Sequence, residues 1–269
     1  SNDLTEGTVS PSNITFTSAN WSTAQMVTVT GQDDVLFDGD ITYSIITSAA
    51  TSTDLSYNGI NATDRAVINT DNETANAVLS VTTQGNESGT DVVYTVTLSK
   101  TNNTGSAITF DFDDLGSGTA ISGSDYTAIV GAAQISVANG ASTGTITVVI
   151  SNDAIYETTE TIIAEINTPS NANVTITTAS ASANITDDDT APSVTLAVNN
   201  ATIAEAAGVA TFTATMNAAS GLATTVNLSY SGTATLSGTD ATAAAGVNAS
   251  NSTTIIIPAS STTGSVTVT

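Results

Sequence analysis

Cysteine and histidine are both absent from this sequence, and lysine and arginine together number only two, Lys100 and Arg65. Without cysteine there can be no disulfide, no thiolate nucleophile and no zinc–thiolate site. Without histidine the usual general base near neutral pH and the commonest zinc ligand are missing. Against 25 acidic side chains the two basic ones leave a formal net charge of −23. That balance excludes phosphate-backbone binding as a main function, so no nucleic acid partner is expected, and it argues against attraction to anionic membranes. No apolar run approaches the length of a bilayer span, so no membrane insertion is expected. Ser1 opens without the charged and apolar regions of a signal peptide, and the sequence reads as carrying neither address nor anchor. Aromatics make up only 4%.

What remains is a chain of 269 residues with 40% hydrophobic content, enough for two or three modest domains with cores of their own. The apolar residues are largely valine, isoleucine and alanine set among threonine and serine, which suits thin β-sandwiches better than helix bundles. No window carries a capped stripe of 3.6-residue period. The charge imbalance suits surroundings rich in divalent cations or salt, of seawater type, where self-repulsion is reduced.

Three stretches share one pattern of apolar strand, small-residue turn and Thr/Val strand: residues 14–31, 135–150 and 255–269. Their starts lie 135 − 14 = 121 and 255 − 135 = 120 residues apart, about the size of one sandwich domain. The expected divisions are 1–74, the latter part of a module; 75–190, a complete one; and 191–269, the front of a third. In the middle division strands are expected at 78–82, 92–98, 108–112, 126–130, 135–137, 145–150, 161–166 and 174–185. Trp21, in the turn between the strands of 14–31, and Tyr126 of the middle division read as core or turn-packing aromatics. The fold class is all-β: tandem antiparallel Greek-key β-sandwiches of immunoglobulin-like type, the end modules partial.

The acidic residues cluster in loops that repeat with the strands. Residues 151–160 place Asn152, Asp153, Glu157 and Glu160 directly after a strand, and Asp187, Asp188 and Asp189 follow another. The first division repeats both, with Asp33, Asp34, Asp38 and Asp40, then Asp71, Asn72 and Glu73. Carboxylates so close, with almost no basic residue to balance them, call for another positive charge. Hard oxygen donors gathered from separate loops point to Ca²⁺ rather than zinc or a redox metal. Arg65 and Lys100 read as local ion partners. Paired carboxylates also serve glycosidases, but here they recur in repeated loops without an aromatic sugar platform, so no enzyme is expected. The many Asn-x-Ser/Thr triplets, such as those at Asn13, Asn86 and Asn227, follow from composition and receive no function.

Three motifs occur in fixed order: Gly118-Thr119-Ala120-Ile121-Ser122-Gly123-Ser124-Asp125-Tyr126, the loop from Asn152 to Glu160, and the terminal aspartate run. In this order they resemble the Calx-beta repeat, found in the regulatory region of sodium–calcium exchangers and in tandem in very large bacterial surface proteins. The resemblance implies Ca²⁺ ions clustered at one end of the sandwich. In the middle module it implies as ligands Glu87, Asp125, Asn152, Asp153, the Ile155 carbonyl, Glu157, Glu160, Asp187, Asp188 and Asp189. Asn152 stands where the best-charged relatives have aspartate, and Ala154 where they often have a carboxylate. In the first module Asp33, Asp34, the Leu36 carbonyl, Asp38, Asp40, Asp71, Asn72 and Glu73 match, with Asp3 as the candidate counterpart of Asp125. In the third only Glu205 and Asp240 are present.

The expected function is a calcium-binding structural repeat region of a secreted or surface-attached bacterial adhesin or extracellular fibre, calcium stiffening the array. Its partners are neighbouring modules of one long chain and like chains in a fibre. The alternatives are a calcium-sensing regulatory or ligand-binding module and a self-assembling extracellular filament subunit.

Overall fold

The computed structural model describes residues 1–204, 206–229, 231 and 252–268. Every regular element among them is a β-strand. The fullest assembly is the middle one, built from β5 (Ala75–Thr83), β6 (Gly85–Asn86), β7 (Val92–Leu98), β8 (Ile108–Asp114), β9 (Gln134–Val137), β10 (Thr143–Val148), β11 (Ile155–Tyr156), β12 (Glu160–Asn167), β13 (Val174–Thr178) and β14 (Ser180–Thr186). Two sheets result, ordered β10-β7-β5-β13 and β6-β14-β12-β8-β9. The pairings are antiparallel except at two edges, where β13 runs parallel to β5 and β14 parallel to β6. Strands adjacent in sequence, β7 and β8 or β9 and β10, fall in opposite sheets, which is what makes the arrangement a sandwich and not a meander.

Alternation along each strand supplies the core. On β8, Ile108, Phe110 and Phe112 point inward while Thr109 and Asp111 do not. Tyr94 lies against Phe112 with ring centroids 5.2 Å apart and donates its hydroxyl to the Ile162 carbonyl at 2.8 Å. Its polar tip is thereby satisfied in the middle of the sandwich.

The flanking segments reuse parts of this pattern. The first has β1 (Gly7–Ser10) paired with β2 (Thr28–Gly31), and β3 (Ile41–Ile45) paired with β4 (Arg65–Asn69). The third has β15 (Val194–Val198), β16 (Ala210–Met216) and β20 (Thr263–Val268) in one sheet and β18 (Thr224–Ser229) with β19 (Ser252–Ile257) in another, plus the short β17 (Ala219–Ser220). The order β15-β16-β20 reproduces β5-β7-β10, and β18-β19 reproduces β8-β9.

Several strand expectations need correction. Residues 126–130 are not a strand: Tyr126 bridges Ile150 and Thr127 donates to the Val149 carbonyl at 2.8 Å, after which the chain leaves the ladder ahead of Gly131, whose φ is 72°. Residues 174–185 form two strands, because the chain crosses from one sheet to the other at Ala179. Residues 14–16 form no strand, since no counterpart of β8 pairs with them among the described residues 1–74. Tyr126 is buried as expected; Trp21 lies in a turn, as expected, but at 72% exposure it does not pack there.

Candidate metal centre

The turn after Gly118 shows how sequence places a ligand. Gly123 has φ 84°, a conformation open to glycine, and donates to the Tyr126 carbonyl at 2.9 Å. Asp125 donates its own N–H to Ile121 at 3.0 Å and accepts from Ile121 N–H through Oδ2 at 2.5 Å. Tyr126 anchors this turn in the core, so Asp125 is buried at its edge.

Four chain segments meet there, the turn at Glu87, the turn at Asp125, the loop 151–160 and the run 187–189. Asp125, Glu157 and Glu160 offer carboxylate oxygens within 4.8 Å of one another; so do Glu87, Asp187 and Asp188, and likewise Glu87, Asp153 and Asp189. Glu87 stands in both of the latter groups. Eight of the expected middle ligands are therefore brought together. Asn152 is exposed and Ile155 half-buried. Backbone donors fix the loops: Asp153 Oδ1 accepts from Ile155 N–H at 2.7 Å, Asp187 Oδ1 from Asp189 N–H at 3.1 Å, and Asp187 Oδ2 from Glu157 N–H at 3.0 Å.

The electrostatics are those of a site built for a cation. Glu87 is 6% exposed, and its Oε2, like Asp189 Oδ2, is buried without a hydrogen-bond partner among the described residues. Burial first, then the charges of Asp187, Asp153, Glu157 and Asp188, push the Glu87 carboxyl up to about 7. Burial and the neighbouring Asp125 push Glu160 up to about 8. Glu157 and Asp189 are raised for the same two kinds of reason. Orphaned buried carboxylate oxygens are costly unless something positive meets them. An all-oxygen donor set of this size fits a hard divalent ion of the Ca²⁺ type, which takes roughly six to eight oxygens.

The first segment repeats the construction. Asp34 Oδ1 accepts from Leu36 N–H at 2.7 Å, Asp71 Oδ1 from Glu73 N–H at 2.9 Å, and Asp71 Oδ2 from Gly39 N–H at 2.8 Å. The loops enclose a cleft of about 280 Å³ lined by Glu6, Asp33, Asp34, Asp38, Asn69, Asp71, Asn72 and Glu73 among others. Burial, then Asp34, Glu6 and Asp71, raise the Asp38 carboxyl. The grouped carboxylates are Glu6, Asp34 and Asp38.

Glu6, not Asp3, is the counterpart of Asp125. The pair Gly7 and Gly31 matches the bridge between Tyr126 and Ile150, and Gln32 N–H donates to Glu6 as Ser151 N–H does to Asp125. Asp3 instead caps its own turn through Thr5. Spacing carried the signal, since 34 − 6 and 153 − 125 both equal 28. Asp40 and Leu36 do not line the cleft: Asp40 Oδ1 accepts from Asp71 N–H at 3.0 Å, and Leu36 is exposed. Glu205 and Asp240 lie outside the described residues.

The acidic loops 33–40 and 151–160 each touch the next segment. Phe37 bridges Asn102 and its carbonyl accepts from Asn103 N–H at 2.9 Å; Tyr156 pairs with Ser220 and its carbonyl accepts from Gly221 N–H at 2.9 Å. The two joints are thus built in the same register.

A sandwich with acidic loops gathered at one end, repeated along a chain, defines a class of modular all-β proteins with oxygen-lined cation sites. The Calx-beta domain matches residues 69–189 and again residues 187–248, and the chain belongs to the Calx-beta family. Among solved structures it is similar to the apo-form Calx CBD1 domain, at 16% identity and TM-score 0.36, covering 44% of this chain and 100% of that one. It is also similar to CBD12 from CALX1.2 (13%, TM-score 0.36, 72% of this chain and 75% of that) and to the calcium binding domain CBD12 of CALX1.1 (14%, TM-score 0.33, 71% and 74%). No curated protein matches by sequence.

Proposed function

We propose that this chain is a calcium-binding structural section of a secreted or surface-attached bacterial repeat protein, working as stalk in an adhesin or extracellular fibre and not as an enzyme. Its modules are 1–74, 75–190 and 191–269. The observation that carries the reading is the pair of orphaned buried oxygens, Glu87 Oε2 and Asp189 Oδ2, within carboxylate groups that include no basic residue. Calcium held by Glu87, Asp153, Asp187, Asp188 and Asp189 on one side and by Asp125, Glu157 and Glu160 on the other ties the loops to one another and stabilises the sandwich by linkage. Because those loops abut the following segment, the ion also stiffens the array. Glu6, Asp33, Asp34, Asp38, Asp71, Asn72 and Glu73 form the corresponding site of the first module. A net charge of −23 fits calcium-rich extracellular surroundings.

The test is titration calorimetry with Ca²⁺ together with melting in Ca²⁺ and in chelator. Binding heat and a large chelator-induced fall in melting temperature are expected; an unchanged melt and no heat would refute the reading. A calcium-dependent affinity for a defined soluble ligand would favour a sensor instead.

A further inference from the structure

The two joints share a backbone register but not their fittings. At the first, Lys100 of the middle sandwich reaches back to the acidic end of the first segment: its Nζ stands 3.9 Å from Glu73 Oε1 and donates to the Val35 carbonyl at 3.3 Å. With its amide oriented to satisfy its neighbours, Asn72 donates to Asp33 at 3.2 Å and to Glu73 at 2.8 Å. Phe37, from the same loop, is 1% exposed and belongs to the middle sandwich's core. At the second joint none of these holds. Lys100 lies two residues before Asn102, and the residue two before Ser220 is Ala218. Asp188 replaces Asn72, and Tyr156 is only half-buried. The other basic residue of the chain, Arg65, is away in β4.

Resting on the calcium reading above, we propose that Lys100 takes the place of a joint-bracing ion at the first joint, so that this joint stays docked without calcium while the second, which has Ala218, requires it. An ammonium on a flexible stem can neutralise one carboxylate and hold one carbonyl, which is part of what a calcium ion does for several. On chelation the array would therefore loosen at one place, between the middle and third segments.

Since the chain has no cysteine, spin labels can be placed at will: at exposed Thr42 and Thr97 across the first joint, and at Thr97 and exposed Thr215 across the second. Pulsed-dipolar distances in the whole chain should show the 97–215 peak lost in chelator and restored by Ca²⁺, with the 42–97 peak kept throughout. Lys100→Met, which retains an apolar stem, should make the 42–97 peak calcium-dependent. A 42–97 peak lost on chelation in the parent chain, one kept in chelator by Lys100→Met, or a 97–215 peak that survives chelation would overturn the proposal. Calorimetry on the same samples separates the two levels: with calcium heat present, a lost 42–97 peak in the parent chain or a kept one in Lys100→Met defeats the lysine role alone, a surviving 97–215 peak defeats the stiffening of the array as well, and absence of calcium heat defeats the whole function reading and this one with it.

Discussion

A β-carbon on Gly221 would stand 2.6 Å from Glu157 Oε1 and 3.0 Å from its Cγ, so the carboxylate of one segment is seated directly on the bare backbone of the next. Gly221→Ala must push Glu157 aside. The clash involves a flexible side chain, so the fold should hardly suffer, with stability in chelator within about 0.5 kcal/mol of the parent. Calcium affinity should drop by about tenfold, on the order of 1.4 kcal/mol, because a displaced ligand no longer converges with Asp125 and Glu160. Calorimetry reading equal affinities for the two proteins would put Glu157 outside the ion's reach.

Glu87 and Glu160 set the pH dependence. Both are raised from the ordinary 4.5, to about 7 and about 8. Between the unfolded and folded values the native chain holds more protons than the unfolded one, so stability without calcium falls as pH rises through that window. In chelator the melting temperature should be higher near about pH 5.5 than near about pH 8.5, and the gain given by calcium should grow in the opposite direction, since protons must leave before the ion is held. A calcium-free melt that rises across this window would contradict the burial of these two carboxyls.

Much of this was legible in the chain itself. The strands 92–98 and 108–112 follow from alternation because both faces of each have a fixed destination, and the acidic loops follow from their position after strands. The misses share one cause: they concern partners rather than patterns. Residues 14–16 alternate like a strand but pair with nothing among the described residues, and 174–185 alternates throughout while changing sheets at Ala179. Glu6 was hidden because Asp3 and Glu6 are both acids near one turn, and only the register of β1 on β2 decides between them. Phe37 reads as a loop residue until its seat in a neighbouring core is seen.

Glu87 belongs to two carboxylate groups, one with Asp187 and Asp188 and one with Asp153 and Asp189. Glu87→Gln should therefore raise stability in chelator, by removing a buried charge, while weakening calcium binding more than Asp188→Ala. Combining Glu87→Gln with Asp188→Ala should be non-additive, by about 0.5 kcal/mol or more. Asp111, which accepts from Gln134 at 2.8 Å on an exposed face, serves as control: Asp111→Ala should leave calcium binding unchanged. Additive losses at Glu87 and Asp188 would mean that these two carboxylates do not share an ion.

Phe37 is the point at which the first segment contributes to the stability of the second. Its ring is in the core cluster of the middle sandwich, with Asn103 N–H holding its carbonyl at 2.9 Å, although it belongs by sequence to the first acidic loop. Truncating a fully buried phenylalanine costs about 3–5 kcal/mol when the cavity cannot close. Phe37→Ala should take about 3 kcal/mol from urea unfolding of the middle sandwich at saturating calcium, the lower end of that range because a joint can shift more freely than a closed core. Tyr156→Ala, at a half-buried position, should cost about 1 kcal/mol, as expected for partial loss of apolar contact. Equal effects at the two positions, or a Phe37→Ala loss below about 0.5 kcal/mol, would show that the ring only rests against the sandwich and does not complete its core.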